Sequence, residues 1–463
     1  MKKFFGVFAL VLSFSASAFA TSTELGCIDQ ATTIEKKLGC LKGVTFTDIT
    51  GPSTPTGARQ FDIRFEQIID HANPAMGTFK QRLILLHRGE AEPMVLQTSG
   101  YAIFGVAQSA LAAAFGTNQL QIEHRFFADS KPTPLDWSKL DIKQSADDFH
   151  AITVAFKQIY GKAWVNTGAS KGGMTSVYHR RFYPNDLDGT VADVAPLSFA
   201  TDDQRFVTFV DNAGGEQYAE CRAQIKKMQV ALLENRDQFV PRLKGNFGQL
   251  GSVDIAFEHS ILEMPFYFWQ YGNPDDASRG CRAVAASKTL EQMFNLLESH
   301  AAIGDYSDES IAGFQPYYYQ SATQLGGPGN STAHLDHLRK YEASIDQYTP
   351  KGVEYSYSNE AMKDVDHWVR TDADKIVFVY GAFDPWSGGE FPVSETGKDV
   401  FKFWVPRGNH SSKFTALPKD KKAEFVQILT RWFGKAPVNL EFARRGPMLD
   451  DIEFAARQRH RLK

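Results

Sequence analysis

Ala163-Trp164-Val165-Asn166-Thr167-Gly168-Ala169-Ser170-Lys171-Gly172-Gly173-Met174 is the stretch that decides the fold. Its first five residues form a short strand, and a helical segment runs from Met174 to Phe182. Between them Gly168-x-Ser170-x-Gly172 matches the tight strand-to-helix turn that lifts a nucleophilic serine above a sheet. So sharp a turn has no room for bulky side chains, hence the glycines on either side. The pattern predicts Ser170 Oγ above the sheet, with the first helical N–H groups aimed at the same spot.

Outward from this turn, residues 44–196 alternate strands and helices. Candidate strands are Gln60–Gln67, Lys80–His87, Pro93–Thr98, Gln119–Phe126 and Ala163–Thr167, rich in β-branched and aromatic residues and separated by Gly and Pro. Ser145–Tyr160 carries Phe149, Ile152, Ala155, Phe156 and Ile159 at helical spacing. The pattern returns with strands Lys375–Tyr380 and Phe401–Val405 and a helix at Lys421–Phe433. Alternation of this kind implies a mainly parallel sheet covered on both faces. With the serine turn it predicts an α/β-hydrolase fold with core residues 21–197 and 367–437. Residues 198–366 read as a helical cap, with aromatic runs Phe266-Tyr267-Phe268-Trp269 and Tyr317-Tyr318-Tyr319. Residues 438–463 form a tail.

A serine hydroxyl needs a base, and this fold supplies it in the chain order Ser, Asp, His. Asp384 follows the strand ending at Tyr380, and His410 follows the strand ending at Val405. Both occupy loops at carboxyl ends of strands, where α/β proteins place their ligands. Only His410 and His460 lie beyond Asp384, and His460 sits in the basic tail, so His410 is the candidate base. The oxyanion donors expected are the backbone N–H of Lys171 and that of Gly100 or Tyr101, with Tyr101 preferred, in the loop Thr98-Ser99-Gly100-Tyr101. The Lys171 side chain reads as an exposed lysine on the first helical turn.

The chain starts with Lys2 and Lys3, an apolar run to about Phe14 and Ala18-Phe19-Ala20, the parts of a signal peptide spanning 1–20. Export to the periplasm or the external medium is expected, without a membrane anchor. Four cysteines in an oxidising compartment favour two disulfides. Three pairings are open; Cys27–Cys40 with Cys221–Cys281 is preferred because each bridge then stays within one region. A net charge of −4 argues against broad nucleic-acid binding, and Arg457, Arg459, Arg461 and Lys463 read as a solvated end. There is no Cys-x-x-Cys and no phosphate-binding glycine loop, and His334-x-x-His337 reads as an exposed helix face, so no metal or cofactor is expected.

Asn166 to Thr175, continuing through His179-Arg180-Arg181-Phe182-Tyr183-Pro184, resembles the bacterial secreted tripeptidyl/prolyl aminopeptidases of the serine peptidase class. Glu123-His124-Arg125-Phe126-Phe127, Phe268-Trp269-Gln270-Tyr271-Gly272 and Gly381-Ala382-Phe383-Asp384-Pro385-Trp386 extend the resemblance over nearly the whole mature chain. A more distant similarity reaches the lysosomal Pro-X carboxypeptidases and dipeptidyl peptidase II, which usually carry Tyr where this chain has Lys171. The resemblance implies peptide substrates cut near a free N-terminus, and hence a carboxylate for the α-amino group. Glu123 and Glu263 are the candidates, against a structural role for Glu123 beside Arg125. An esterase or lipase with the same triad, or a binding protein on the same scaffold, stays open at this stage.

Overall fold

The computed structural model describes residues 22–393 and 398–440. The leader expected at 1–20 and the basic residues 457–463 lie outside them. Among the described residues nine strands form one sheet: β1 (Val44–Asp48), β2 (Arg59–Ile68), β3 (Thr78–His87), β4 (Met94–Thr98), β5 (Asn118–Ile122), β6 (Trp164–Ala169), β7 (Gly189–Asp193), β8 (Ile376–Gly381) and β9 (Val400–Val405). Their order is β1-β2-β3-β5-β4-β6-β7-β8-β9. The pairs from β1 to β5 through β3 are antiparallel, and all later neighbours are parallel. This is the expected α/β-hydrolase sheet.

The central strands β4, β5 and β8 are buried at every position, as strands covered on both faces must be. On one face Leu96 and Leu120 meet Phe149, Ile152 and Phe156 of the helix Ile142–Lys157. On the other, Val95, Val165 and Val377 meet Phe425, Ile428 and Leu429 of the helix Lys419–Phe433. Alternate residues of one strand thus feed two cores, the period-two signature of a strand.

The reading of Gln119–Phe126 as one strand is too long. β5 ends at Ile122, His124 N–H turns to the Tyr101 carbonyl at 3.0 Å, and Phe126 takes φ 71°. The chain has left the ladder to close under the loop after β4. β7, Gly-Thr-Val-Ala-Asp, was not singled out from sequence; it is short and buried at its first four positions.

Between β7 and β8 the chain makes a helical insertion with an apolar cluster of its own, in which Phe206, Leu232, Phe257, Ile261 and Trp269 are buried. In the aromatic run on its longest helix, Val253–Tyr271, Phe266, Phe268 and Trp269 are buried in that cluster, and Phe266 and Tyr267 also face a cavity. Both preferred disulfides are present, with Cα–Cα distances of 5.8 Å for Cys27–Cys40 and 5.3 Å for Cys221–Cys281. The second lies wholly within the insertion. Among the described residues no helix is long and apolar enough to cross a membrane.

Candidate active site

Ser170 sits where β6 passes into the helix Lys171–Phe182, with φ 58° and ψ −127°. A non-glycine residue adopts this region only under constraint from its surroundings. The constraints are visible. Ser170 N–H donates to the Asp193 carbonyl at 2.9 Å, and its own carbonyl accepts from Met174 N–H at 3.0 Å. A Cβ on Gly168 would lie 2.4 Å from the Gly172 carbonyl, and one on Gly172 would lie 2.4 Å from the Thr98 carbonyl. Both glycines are therefore required for the helix to press against the end of β4. Thr98 Oγ1 fastens that contact, donating to Gly172 O at 2.8 Å and pairing with Ser176 Oγ at 2.6 Å.

Asp384 and His410 come together from neighbouring loops after β8 and β9. Gly381 lets the loops close: a Cβ there would lie 2.5 Å from Gly408 O. His410 Nδ1 lies 2.7 Å from Asp384 Oδ2, and Asp384 Oδ1 accepts from Trp386 N–H at 3.0 Å. The carboxylate is fully buried and the imidazole nearly so. His410 N–H donates to Gln270 O at 2.9 Å, and its ring packs against Tyr271 and Trp386, each at 5.9 Å between centroids. With Nδ1 occupied by the carboxylate, Nε2 is the nitrogen left to act; it is buried with no hydrogen-bond partner among the described residues. Serine–imidazole bonds often form fully only when substrate arrives.

The loop after β4 lies against the serine turn. Gly100 has φ 72°, and a Cβ there would lie 2.5 Å from Gly172 N and 2.7 Å from Lys171 C. Tyr101 N–H reaches Ser99 Oγ at 3.3 Å, a long bond. Lys171 corrects the expectation of an exposed side chain: it is 2% exposed, and its Nζ donates to Gly100 O at 2.7 Å. The rings that bury it belong to Tyr101 and Phe127, and no local pattern announces them.

Ser170 opens on a cavity of about 640 Å³ beneath the insertion. One wall is the helix Val253–Tyr271, which presents Glu263, Phe266, Tyr267, Gln270 and Tyr271 at spacings of three and four. Glu263 Oε2 accepts from Tyr306 Oη at 2.9 Å, and Asp305 lines the same cavity. Burial first, then the Glu263 charge, pushes the Tyr306 phenol well above its ordinary range, so it stays a neutral donor. Neither Asp305 nor Tyr306 was singled out from sequence.

Glu123 does not lie in this cavity. It is completely buried, its oxygens accept from Ile103 N–H at 3.0 Å and Ser130 Oγ at 2.8 Å, and burial raises its pKa. Amine binding by Glu123 is thus replaced by a role in holding the chain that follows Tyr101. Nor does it pair with Arg125, whose guanidinium takes Asp148 at 2.6 and 2.7 Å. His334 faces Gln229 Oε1 at 3.0 Å, and no group of three metal-ligating side chains occurs among the described residues.

A family model described as PS-10 peptidase S37 matches residues 29–457. The chain is 38% identical over 396 residues to a prolyl tri/tetrapeptidyl aminopeptidase of Streptomyces mobaraensis, covering 82% of this chain and 81% of that protein. It is 23% identical over 429 residues to a lysosomal Pro-X carboxypeptidase of Mus musculus, covering 78% and 85%. A solved proline iminopeptidase of Mycobacterium smegmatis covers 76% of this chain and 95% of its own at 16% identity, with a TM-score of 0.39.

Proposed function

The chain belongs to the S37 family of serine peptidases, and on that premise we propose an exported aminopeptidase that releases short N-terminal fragments, tripeptides or prolyl-ended pieces, from peptides. The residues proposed for the chemistry are Ser170, His410 and Asp384, with residues 198–366 as the substrate-selecting cap.

As Ser170 Oγ attacks the scissile carbonyl, its proton passes to His410 Nε2, and Asp384 steadies the imidazolium through Nδ1–H. The carbonyl π pair moves onto oxygen, where the Lys171 N–H and the Gly100–Tyr101 peptide are the candidate donors. Collapse of this intermediate breaks the C–N bond, and His410 returns the proton to the departing amine. Water then attacks the acyl-enzyme by the same route, freeing the fragment as its acid and restoring Ser170.

The choice of an aminopeptidase rests on one observation, the charge of the cavity. Among the described residues five carboxylates line it, Asp202, Asp211, Glu263, Asp305 and Asp336, against one guanidinium, Arg339. Asp211 faces Lys226 and Asp336 faces Arg339, while Glu263 and Asp305 lie on the wall that carries Tyr306. Such a cavity attracts a peptide ammonium and repels a terminal carboxylate. Glu263 is the proposed seat of the amine. It precedes Gln270 by two helical turns, about 10 Å of rise, and Gln270 bonds the backbone of His410. Three extended residues span about 10–11 Å, which supports release of tripeptides.

The test is hydrolysis of tripeptide and prolyl amides with free and with blocked N-termini, alongside a short-chain ester. Cleavage of the free-amine amides alone is expected. Ester turnover without amide turnover, or indifference to the blocking group, defeats the aminopeptidase reading.

A further inference from the structure

The Lys171 side chain takes no part in the steps above, yet it is buried in the middle of the site. Only 2% of the residue is exposed. Its ammonium donates to Gly100 O at 2.7 Å and lies 5.7 and 5.5 Å from the ring centroids of Tyr101 and Phe127. Taking an ammonium out of water carries a large desolvation cost; a methionine would fill the same channel without it. The position of the charge therefore needs a reason beyond packing.

Gly100 O is one end of a peptide unit whose other end is the Tyr101 N–H. That unit lies in van der Waals contact with the serine turn, as the close approach of Gly100 to Lys171 and Gly172 shows. We propose that the Lys171 side chain is a positioning residue for the oxyanion site: it clamps the Gly100–Tyr101 peptide against the turn and polarises it. A cation on the carbonyl end draws electron density toward that oxygen and makes the N–H at the far end a stronger donor. At rest this N–H rests on Ser99 Oγ at 3.3 Å, a contact long enough to be shared with a substrate oxygen. Lys171 thus contributes twice to one intermediate. Its backbone N–H is one donor, and its side chain strengthens the other across the turn. The gain is confined to the moment when negative charge appears on the carbonyl oxygen, so it belongs to kcat and not to binding of the uncleaved peptide.

The proposal rests on the Ser170 mechanism, so Ser170→Ala is measured first; turnover persisting in that variant overturns the mechanism and this proposal with it. With Ser170 established, Lys171→Met and Lys171→Gln are compared in the full mature enzyme. We expect kcat to fall about 10–100-fold, less than for outright removal of an oxyanion donor, with KM within about threefold. Affinity for a free-amine tripeptide boronate, whose adduct with Ser170 sets an oxygen in the oxyanion site, falls by the same factor. Affinity for the released N-terminal peptide stays. Lys171→Arg keeps the charge and recovers part of kcat. A Met variant with kcat within twofold of the parent overturns the proposal, as does equal loss of boronate and product affinity. Should the Met variant fail to fold, the Gln variant carries the test, since its amide still reaches toward Gly100 O without the charge.

Discussion

The serine turn and the acidic cavity wall are built in opposite ways. Around Ser170 the fit is set mainly by backbone: three glycines with no room for a Cβ, a strained φ, and carbonyls within contact of one another. Around Glu263 everything is side chain: a stripe of large residues on one helix, closed by Tyr306 from another segment. The first arrangement leaves no room for a side chain at its glycines. The second can be retuned residue by residue while the fold stays intact. On the proposed function, reaction chemistry is thereby separated from substrate choice, and mutations on the two sides should register in different kinetic constants.

The hardest blow to the comparison is Ser170→Ala. Turnover should drop by roughly five to six orders of magnitude, while fluorescence titration shows peptide binding in the cavity unchanged; binding lost together with turnover would merge the two regions into one. Gly168→Ala tests the backbone side without touching a reactive atom. Its Cβ would lie 2.4 Å from Gly172 C and O, so we expect a loss of about 2–4 kcal/mol in urea unfolding with activity falling alongside. On the cavity side, Glu263→Gln should lower kcat/KM for a free-amine tripeptide amide by about 10–100-fold, the worth of one charged hydrogen bond. The N-acetylated substrate should respond little, and an equal loss for both would remove Glu263 from amine recognition.

The smallest expected effect concerns acid stability of the insertion. His300, packed on Phe268 and bonded to Arg279 O at 2.9 Å, has its pKa drawn down to about 4, chiefly by burial. The folded value lies below the unfolded one of about 6.5, so the unfolded chain takes up the proton first. Stability contributed by neutral His300 is complete above about pH 6.5 and is lost as pH falls toward 4. His300→Gln should flatten the acid limb by up to ~1.4 kcal/mol per pH unit, read from urea midpoints at pH 7 and 4.5; an unchanged limb places the acid sensitivity elsewhere.

How much of this was legible in the sequence follows from the same contrast. Ser170, Asp384 and His410 each stand next to a strand end, and strand, turn and order are local properties. Both disulfides were legible as bridges kept within one region. Glu263 could be named only as an acid on the cap, because its worth depends on Tyr306 packing against it from another segment. Asp305 left no trace for the same reason. Lys171 was misread because the two rings that bury it lie on loops distant in the chain, and Glu123 because its partners, Ile103 N–H and Ser130 Oγ, lie in segments outside the strand Gln119–Phe126 in which it was placed. Chain-local geometry is written in neighbouring residues; the cavity is written in contacts between segments that no period connects.

The parallel pairing of β7 with β8 bridges the entire insertion, since Asp193 and Ile376 belong to adjacent strands. Ser170 belongs to the portion of the sheet that can be laid down from consecutive segments, whereas Asp384 and His410 arrive only after the longest loop in the molecule has closed. Closing it costs entropy that grows slowly with length, and contacts of such high order form late. On the proposed triad, a chain emerging from its amino end would therefore carry Ser170 without its partners until β8 and β9 are made. Hydrolysis by the proposed triad would wait for β8 and β9 to join the sheet, and a half-made copy would have nothing with which to cut its neighbours.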